Sequence, residues 1–283
     1  IDREHLDYYK TMNNLENKFI SFIEKTPSFG KAFVCIDDKN NRKVLKKVKN
    51  NNYYSYGTRK DSNFQIVNIF QNINFSKFDL KIKISGITKK IIKNIKVPTI
   101  GMHNIRNTAA SIAVSYSVGI SEKIIKKALF EFEGVQRRFT KVFSFNNVSF
   151  YDDYAHHPTE IKEVINGISE VYKEKKIICI FQPHRISRLK TLRKEFSHAF
   201  KKVDTVVLCP IFKAGENIKL GFKYSNFAKE IIKNSKVKVI LIKNELDLAK
   251  FTKQNIYGQQ LVVGMGAGSI SSWIRNLPKV LQK

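Results

Sequence analysis

Two polar segments, residues 151–160 and residues 181–188, contain side chains whose types could hold an anionic, phosphorylated substrate. The side chains considered are two carboxylates, three histidines and two arginines: Asp152, Asp153, His156, His157, His184, Arg185 and Arg188. No Ser/His/Asp or Cys/His triad and no G-x-S-x-G elbow accompanies them. No Gly-rich phosphate loop of the G-x-x-x-x-G-K-[ST] kind occurs anywhere in the sequence.

The first segment leaves several roles open. Asp152 and Asp153 could be a general acid/base pair, metal ligands or acceptors for the hydroxyls of a sugar. Adjacent residues at a strand end point to opposite sides, so one of the two is expected to be structural. His156 and His157 lie in an extended stretch before Pro158, which argues against a metal pair spaced i, i+4 on a helix. We expect one histidine to bind a ligand and the other to be packed or solvated.

The second segment is more specific. Arg185 and Arg188 are three residues apart at a predicted helix start, so both can face one carboxylate or phosphate. The amino terminus of the helix adds positive potential of its own. A merely solvated basic helix start is electrostatically unfavourable, which favours a functional role for His184, Arg185 and Arg188.

The elements that must position these segments alternate from about residue 140 onward. Strands are predicted at 148–151, 176–181, 205–209, 237–242 and 260–264, and helices at 159–172, 188–201, 225–233, 245–253 and 269–277. This alternation predicts an α/β fold with a doubly wound, mostly parallel sheet. Such sheets bind ligands at the carboxyl ends of their strands, where both polar segments are expected.

A length of 283 residues predicts two domains, and the pattern before about residue 140 differs from the one after it. The earlier pattern predicts helices at 10–25, 39–48, 107–118 and 122–132, strands at 32–36 and 53–56, antiparallel strands within 64–97, and a loop over 98–104. Alternation of polar and apolar residues over 81–84 is typical of a sheet with one wet face.

Three other segments have competing interpretations. Arg137 and Arg138, beside Gly134, could clamp a phosphate or be solvated surface residues. The acidic start that contains His5 could ligate a divalent metal, or it could be the favourable first turn of a helix. The Gly-rich turn 264–269 is a weak dinucleotide motif, and a close backbone approach to a ligand or a neighbouring loop is favoured there.

Composition restricts the function classes. The formal net charge is +27, from 51 Lys and Arg against 24 Asp and Glu, and it raises the alternative of a nucleic-acid-binding protein. The lysines are scattered and no nucleic-acid-binding motif is present, so solvated basic faces are favoured and nucleic acid is not expected as a partner. Cys35, Cys179 and Cys209 are far apart and form no metal or disulfide spacing. Their number and spacing fit a reducing cytoplasm. No apolar run is long enough for a transmembrane helix, so no membrane partner is expected.

A series of motifs, in order along the chain, resembles the Mur ligases. The motifs are Asp2-x-Glu4-His5-x-Asp7, Gly101-x-His103-Asn104-x-x-Asn107, Gly134-Val135-x-Arg137-Arg138-Phe139, Asp152-Asp153-Tyr154-Ala155-His156-His157-Pro158-Thr159-Glu160, Phe181-Gln182-Pro183-His184-Arg185, Ala214-Gly215-Glu216 and Gly266-Ala267-Gly268. The element at 181–185 favours the members that join L-alanine to UDP-N-acetylmuramate over the murein-peptide ligases that share the motif at 152–158.

The resemblance implies an ATP- and Mg²⁺-dependent enzyme that forms an amide bond in peptidoglycan precursor synthesis. UDP-N-acetylmuramate would be phosphorylated to an acyl phosphate, and L-alanine would then displace the phosphate. Carried over by position, the metal ligand is His5, the cofactor-binding residues are His103, Asn104, Asn107, Arg138, Asp153 and His156, and the catalytic residues are His184, Arg185 and Arg188.

The same resemblance implies that this chain begins midway through a central ATPase domain, of which 1–137 is the remaining part, followed by a Rossmann-like C-terminal domain over 138–283. We therefore expect the chain to be incomplete for catalysis by itself, because the UDP-binding domain and the phosphate loop of the family are not in the sequence. A possible partner in trans, carrying the missing amino-terminal half of a split ligase, is the corresponding alternative.

Overall fold

The structure, a computed structural model, describes residues 1–50, 52–86 and 90–282, apart from the side chain of Asp7. The chain divides into two compact units, Ile1–Glu133 and Gly134–Lys283. The predicted domain boundary, between residues 137 and 138, lies a few residues beyond this division.

The first unit is built on a five-stranded sheet with the order β1-β2-β3-β4-β5. Its strands are β1 (Ala32–Cys35), β2 (Tyr53–Gly57), β3 (Phe64–Gln71), β4 (Ser76–Ile82) and β5 (Lys90–Val97). The first three strands are parallel, and β3, β4 and β5 pair antiparallel. Buried and more exposed residues alternate along β4, which gives the sheet one apolar face. Antiparallel strands within 64–97 are thus confirmed, although residues 87–89 of that prediction lie outside the described residues.

The helices of this unit are α1 (Leu6–Tyr9), α2 (Met12–Glu24), α3 (Lys39–Leu45), α4 (Met102–Ser117) and α5 (Glu122–Phe130). Helices α4 and α5 pack in one apolar cluster with the sheet, and α2 and α3 pack with β1 in a separate one. The small side chains Ala109 and Ala113 are fully buried and bring α4 close to the sheet, beside Ile105 and Ile112. Packing of this kind supplies most of the stability of a helix in a folded protein.

Helix α4 begins earlier than predicted. The loop expected over 98–104 ends at Gly101, which has a φ of 93° that favours glycine, and its N–H donates to Gln71 Oε1 (2.7 Å). Because this turn is fixed from the sheet, the helix starts at Met102. The predicted start at 107 was wrong by more than one turn, and His103 and Asn104 belong to the helix.

The second unit contains a six-stranded sheet with the order β10-β9-β8-β11-β7-β6. Its strands are β6 (Thr140–Phe145), β7 (Val148–Asp153), β8 (Lys176–Phe181), β9 (Thr205–Leu208), β10 (Lys238–Leu241) and β11 (Gln260–Met265). All neighbours are parallel except β6, which pairs antiparallel with β7. The sequence analysis missed β6, whose hairpin turn uses Asn146 and Asn147 with positive φ, as two-residue turns require.

Helices lie on both faces of this sheet: α6 (Pro158–Val171), α7 (Ile186–Thr191), α8 (Arg193–Ser197), α9 (Tyr224–Ser235), α10 (Glu245–Asn255) and α11 (Ile270–Leu281). One apolar layer joins the sheet to α6, α7, α8 and α9, and the other joins it to α10 and α11. The doubly wound, mostly parallel fold is therefore confirmed. The single helix predicted over 188–201 is wrong, because Leu192 leaves helical geometry (ψ 23°) and separates α7 from α8. Within the described part of the chain, no helix is long and apolar enough to cross a bilayer.

Candidate functional site

The carboxyl ends of β7 and β8 bring the two polar segments together in the second unit. The imidazole rings of His156 and His184 lie 5.6 Å apart between centroids and are nearly perpendicular, at 69°. Parallel strands place their carboxyl ends at one edge of a sheet, which explains a contact between residues so far apart in sequence. This edge is the candidate site of the second unit.

Both carboxylates at the end of β7 are buried inside the protein. Asp152 accepts hydrogen bonds from the Ser271 hydroxyl (2.6 Å) and Arg275 Nη2 (3.3 Å). Asp153 is 1% exposed and accepts from the backbone N–H groups of Phe139 and Ala155, each at 2.8 Å. We expected one of the two carboxylates to be structural. Both make structural contacts, because each accepts hydrogen bonds that hold neighbouring elements in place.

Burial also sets the protonation of Asp153. It raises the pKa of this carboxyl to about 6, against the two backbone hydrogen bonds and the charge of Arg138, which lower it. The buried Asp153 side chain fixes the backbone next to Arg138, through the N–H of Phe139. A direct contact between Asp153 and a nucleotide remains a prediction.

The two histidines after β7 are placed differently. His157 is 3% exposed and caps α6 by accepting from the Thr159 N–H (3.3 Å), while Glu160 accepts from the N–H groups of both histidines. His156 is only half-buried, and its Nδ1 lies 2.8 Å from the carbonyl oxygen of Tyr154. A carbonyl can only accept, so this contact favours the tautomer with its proton on Nδ1. His157 is thus the packed member of the pair.

His184 follows β8 in a strongly positive setting. Burial, then the neighbouring His156, Arg188 and Arg185, lowers the pKa of His184 to about 4, so the ring is neutral near pH 7. Arg188 Nη1 lies 3.3 Å from His184 Nδ1, and because a guanidinium only donates, the neutral ring carries its proton on Nε2. The ring also stacks on Phe212, with centroids 5.5 Å apart and planes at 11°.

The backbone of Arg185 adopts a conformation that side chains rarely occupy. Its φ is 70° and its ψ is 134°, immediately before α7 begins at Ile186. Residues in such sparsely populated regions concentrate at functional sites and persist only where surrounding contacts hold them. One such contact is the hydrogen bond from the Arg185 N–H to the Phe212 carbonyl oxygen (2.8 Å).

The Gly-rich turn after β11 packs against the segment that follows β8. A Cβ at Gly266 would lie 2.7 Å from the Gln182 carbonyl oxygen, and a Cβ at Gly268 would lie 2.4 Å from Phe212 Cγ. The Gln182 side chain accepts from the Ile270 N–H (3.0 Å) at the start of α11. Of the two expected alternatives, the structure therefore shows the close approach to a neighbouring loop.

The adjacent arginines before β6 do not form a symmetric clamp. Arg137 Nη2 donates to the Gly266 carbonyl oxygen (2.7 Å), and its guanidinium lies over the Tyr154 ring at 4.6 Å. Arg138 is exposed and lies 5.9 Å from the same ring. Arg137 is thus used in joining β11 to the β7 loop, and Arg138 is the member available to a phosphate.

The first unit contains the remaining candidates. Asn104 donates to the Ile100 carbonyl oxygen (2.7 Å) at the start of α4, and Asn107 is exposed one turn later on the same helix. His103 is half-buried. Sequence reasoning missed Arg106, which lies between the two asparagines and pairs with Asp37 (2.9 Å).

His5 is exposed and precedes α1 with a φ of 53°. Over residues 1–50, 52–86 and 90–282, no three His, Cys, Asp or Glu side chains come together as a metal-sized cluster. The side chain of Asp7, part of the predicted metal-proximal motif, lies outside this description. Mg²⁺ often takes only one or two protein ligands, so the metal role of His5 remains a prediction.

Two family comparisons match the chain almost end to end. The Mur ligase middle domain matches residues 1–115, and the family described as "Mur ligase, glutamate ligase domain" matches residues 137–268. Together with the two sheets, these matches define an α/β chain with a Mur ligase middle domain followed by a Mur ligase glutamate ligase domain. The chain belongs to the Mur ligase family.

Two curated proteins with similar sequences carry the name of a ligase. The chain is 59% identical over 281 residues to a UDP-N-acetylmuramate–L-alanine ligase of Pelagibacter ubique, covering 99% of this chain and 61% of that protein. It is 38% identical over 282 residues to the same kind of ligase from Rickettsia africae, covering 98% of this chain and 58% of that protein. The chain therefore spans about 60% of the length of these relatives.

Solved structures share the fold. A UDP-N-acetylmuramate-alanine ligase from Thermotoga maritima superposes with a TM-score of 0.74 at 22% identity, covering 99% of this chain and 57% of that one. A MurF ligase from the same organism, in complex with ADP, gives a TM-score of 0.69 at 18% identity, covering 99% of this chain and 59% of that one. At these identities the likeness establishes the fold alone.

Proposed function

We propose that this chain is part of an enzyme that joins L-alanine to UDP-N-acetylmuramate at the cost of ATP, in peptidoglycan precursor synthesis. The observation that carries the proposal is the meeting of His156, His184, Arg185 and Arg188 at one sheet edge, in a chain 59% identical to a ligase with that name. A site built from positive and neutral groups suits phosphoryl transfer, which depends on positioning and charge stabilisation.

The reaction has two steps. An oxygen of the muramyl carboxylate attacks the γ-phosphorus of ATP, the bond to ADP breaks, and an acyl phosphate forms. The amine of L-alanine then attacks the acyl carbon, and inorganic phosphate leaves with the electron pair of the broken C–O bond. The developing negative charge in both steps lies on phosphate and acyl oxygens, where arginine guanidinium groups are the most effective donors.

In this proposal Arg185 and Arg188 bind the carboxylate or acyl phosphate and the incoming alanine. His184 donates from Nε2 to an oxygen of the same group, because its Nδ1 already accepts from Arg188. A pKa of about 4 makes His184 a poor acceptor for the ammonium proton of alanine, so its role is orientation and hydrogen bonding.

In the first unit, Asn104 and Asn107 are the proposed adenine contacts, and His103 is a further proposed cofactor-binding residue. In the second unit, Arg138 is a proposed contact for nucleotide phosphates. Asp153 and His156 are the proposed nucleotide-proximal residues of the C-terminal domain. Mg²⁺ would come bound to ATP oxygens and water, with His5 as the one proposed ligand among the described residues. The metal would neutralise phosphate charge. The cytoplasm is the proposed location, because ATP and nucleotide sugars are found there.

The test first determines which polypeptide is to be assayed. The native amino terminus and intact mass are measured in the source cell, and that protein is supplied with ATP, Mg²⁺, UDP-N-acetylmuramate and isotopically labelled L-alanine. We expect inorganic phosphate and labelled UDP-N-acetylmuramoyl-alanine in equal amounts, and none when either substrate is omitted. Release of phosphate with no dependence on alanine, or no product at all, contradicts the proposal.

The amino-acid preference is measured in the same assay by replacing L-alanine with glycine or L-serine. The alternative of a split enzyme is tested by pull-down from the source cell. Recovery of a separate chain that carries a G-x-x-x-x-G-K-[ST] loop supports a partner in trans, whereas one continuous polypeptide of greater mass excludes it.

A further inference from the structure

Residues 209–223 connect β9 to α9 and contain no helix or extended strand. This segment, the β9–α9 loop, contacts the candidate site at His184. We propose that this loop, through Phe212 and Glu216, is a positioning element that fixes the segment carrying His184, Arg185 and Arg188. The inference rests on the proposed function for its catalytic consequence. Irregular connections of this length are uncommon in compact domains, and the ordered ones are usually functional.

The first contact is a short backbone pairing. The Phe212 N–H donates to the Pro183 carbonyl oxygen (2.9 Å), and the Arg185 N–H donates to the Phe212 carbonyl oxygen (2.8 Å). These reciprocal bonds form an isolated parallel bridge between His184 and Phe212. Since the ring of Phe212 also stacks on His184, one loop residue fixes both the backbone and the side chain at this position.

The second contact is made by Glu216 at the start of α7. Its Oε2 accepts from the Ser187 N–H (3.0 Å), and its Oε1 accepts from the Ser187 hydroxyl. Burial alone would raise the pKa of Glu216, but the hydrogen bonds from Ser187 and Ile186 and the charge of Arg185 together outweigh it and hold this pKa below its ordinary value. The carboxylate is therefore ionised at neutral pH and satisfies an N–H that the helix cannot use.

The two contacts enclose Arg185 from both sides. The Phe212 carbonyl oxygen accepts from the N–H of Arg185 itself, and the Glu216 carboxylate accepts from Ser187, two positions later. Arg185 occupies its rare backbone conformation between them. Without these contacts the segment can relax to an ordinary conformation, which would move the arginine and His184 away from a common target.

The rest of the loop is itself anchored. The Tyr224 hydroxyl donates to the Cys209 carbonyl oxygen (2.6 Å), and the Arg193 guanidinium lies 3.8 Å from the centroid of the Phe222 ring. Lys190 Nζ approaches the Lys219 carbonyl oxygen at 3.4 Å. Because the loop is fixed at its ends and along its length, it can hold the segment that carries His184, Arg185 and Arg188 (the catalytic segment) in place at the edge of the sheet.

The test is a double-mutant cycle on Glu216→Gln and Ser187→Ala, with Glu174→Gln as the control. Glu174 is an exposed carboxylate in the turn before β8, at the opposite end of the strand. We expect E216Q to lower kcat about 10- to 100-fold through misplacement of the catalytic segment, with KM for ATP changed less than about twofold. The E216Q/S187A double variant should be no slower than E216Q, because both act through one contact. Ser187→Thr keeps the hydroxyl and should retain most of the rate.

A second readout does not depend on the proposed function. The His184 ring signals, assigned with His184→Asn in a protein of six histidines, report the stacking on Phe212 by NMR. We expect E216Q and S187A to shift these signals, and E174Q to leave them unchanged. If the wild-type protein makes no product but the signals shift, the proposed function fails and the positioning contact stands.

The inference is overturned if E216Q leaves both kcat and the His184 signals at wild-type values. It is also overturned if E216Q and S187A have additive effects, or if the loss of activity only tracks a lower folded fraction. In either of those cases Glu216 does not act through Ser187 on the catalytic segment.

Discussion

The carboxylate of Asp37 accepts a hydrogen bond from Arg106 Nε at 2.9 Å, joining the carboxyl end of β1 to α4. The other oxygen of Asp37 accepts from the N–H (2.8 Å) and hydroxyl (3.0 Å) of Thr58. The fit is close enough that a Cβ at Gly57 would lie 2.5 Å from Asp37 Oδ1. A buried carboxylate thus fixes the helix that carries the proposed adenine-binding residues.

The first prediction concerns this pair. Asp37→Asn breaks the ion pair with the partly buried guanidinium and weakens the two hydrogen bonds from Thr58, so we expect it to destabilise the first unit by about 2–3 kcal/mol. Hydrogen exchange of peptides from β1 and β2 measures the change. The matched control is Asp61→Asn, which breaks the exposed pair with Arg59 and should leave the stability of the unit nearly unchanged. If the two variants lose the same amount of stability, Asp37 contributes no more to the fold than an exposed ion pair.

The contact between Asp37 and Arg106 could not be read from the sequence, because the residues are 69 positions apart and neither belongs to a motif. The start of α4 was missed for a similar reason. Helical periodicity begins where the buried alanines begin, but the first turn is fixed by Gln71 from β3. Local patterns predicted the elements, and contacts between elements set their ends.

A second prediction tests the packing of Gly268 against Phe212. A methyl group at Gly268 would lie 2.4 Å from Phe212 Cγ and 2.6 Å from Gln182 Oε1, so Gly268→Ala must displace one of them. We expect the second unit to lose about 1–3 kcal/mol. Trp273, the one tryptophan of the sequence, lies in α11 and reports unfolding of this unit in urea by its fluorescence.

The control for that variant is Gly258→Asn. Gly258 has a φ of 70°, which asparagine tolerates, and no heavy atom lies within 4 Å of a Cβ built there. Its urea midpoint should stay within about 1 kcal/mol of wild type. If Gly258→Asn is as destabilising as Gly268→Ala, the cause is backbone conformation and the packing argument is wrong.

The candidate site was predictable only where polar residues follow apolar strands. Asp153 is the last residue of β7, and His156 and His184 each lie three residues beyond the ends of β7 and β8, so their grouping followed from the rule for parallel sheets. Phe212 and Glu216 lie in an irregular loop, where no periodicity indicates which side chain turns toward which neighbour. The motif Ala214-Gly215-Glu216 marked the place without giving a contact.

A third prediction uses the strained backbone of Arg185. Arg185→Gly removes a conformational cost of about 1–3 kcal/mol, less the roughly 0.5–1 kcal/mol of chain entropy that glycine adds. We expect a urea midpoint at or above that of wild type, together with a large loss of ligase activity because the guanidinium is gone. Arg185→Lys keeps the strain and the charge, so its stability should match wild type. A glycine variant less stable than the lysine variant would mean that the Arg185 side chain itself stabilises the fold.

A fourth prediction follows from the neutral state of His184. Its pKa is lowered from 6.5 to about 4 by burial and by His156, Arg188 and Arg185, while Glu216 opposes the shift. Between about pH 4 and 6.5 the unfolded chain binds the proton and the folded chain does not, so this group makes stability rise with pH. The difference in unfolding free energy between wild type and His184→Asn should therefore increase from pH 4.5 to 6.5. A flat difference, measured by Trp273 fluorescence in urea, would contradict the burial of a neutral ring.

The last prediction has the opposite sign. Burial raises the pKa of Asp153 from 3.8 to about 6, with the hydrogen bonds from Ala155 and Phe139 and the charge of Arg138 opposing it and Glu160 adding to it. Between those values the folded chain keeps a proton that the unfolded chain loses, so stability falls as pH rises. The free-energy difference between wild type and Asp153→Asn should then decrease from about pH 4 to 6, where that for His184→Asn increases. A general effect of acidity on a protein of net charge +27 would move both differences in one direction, so opposite slopes identify these two groups as the cause.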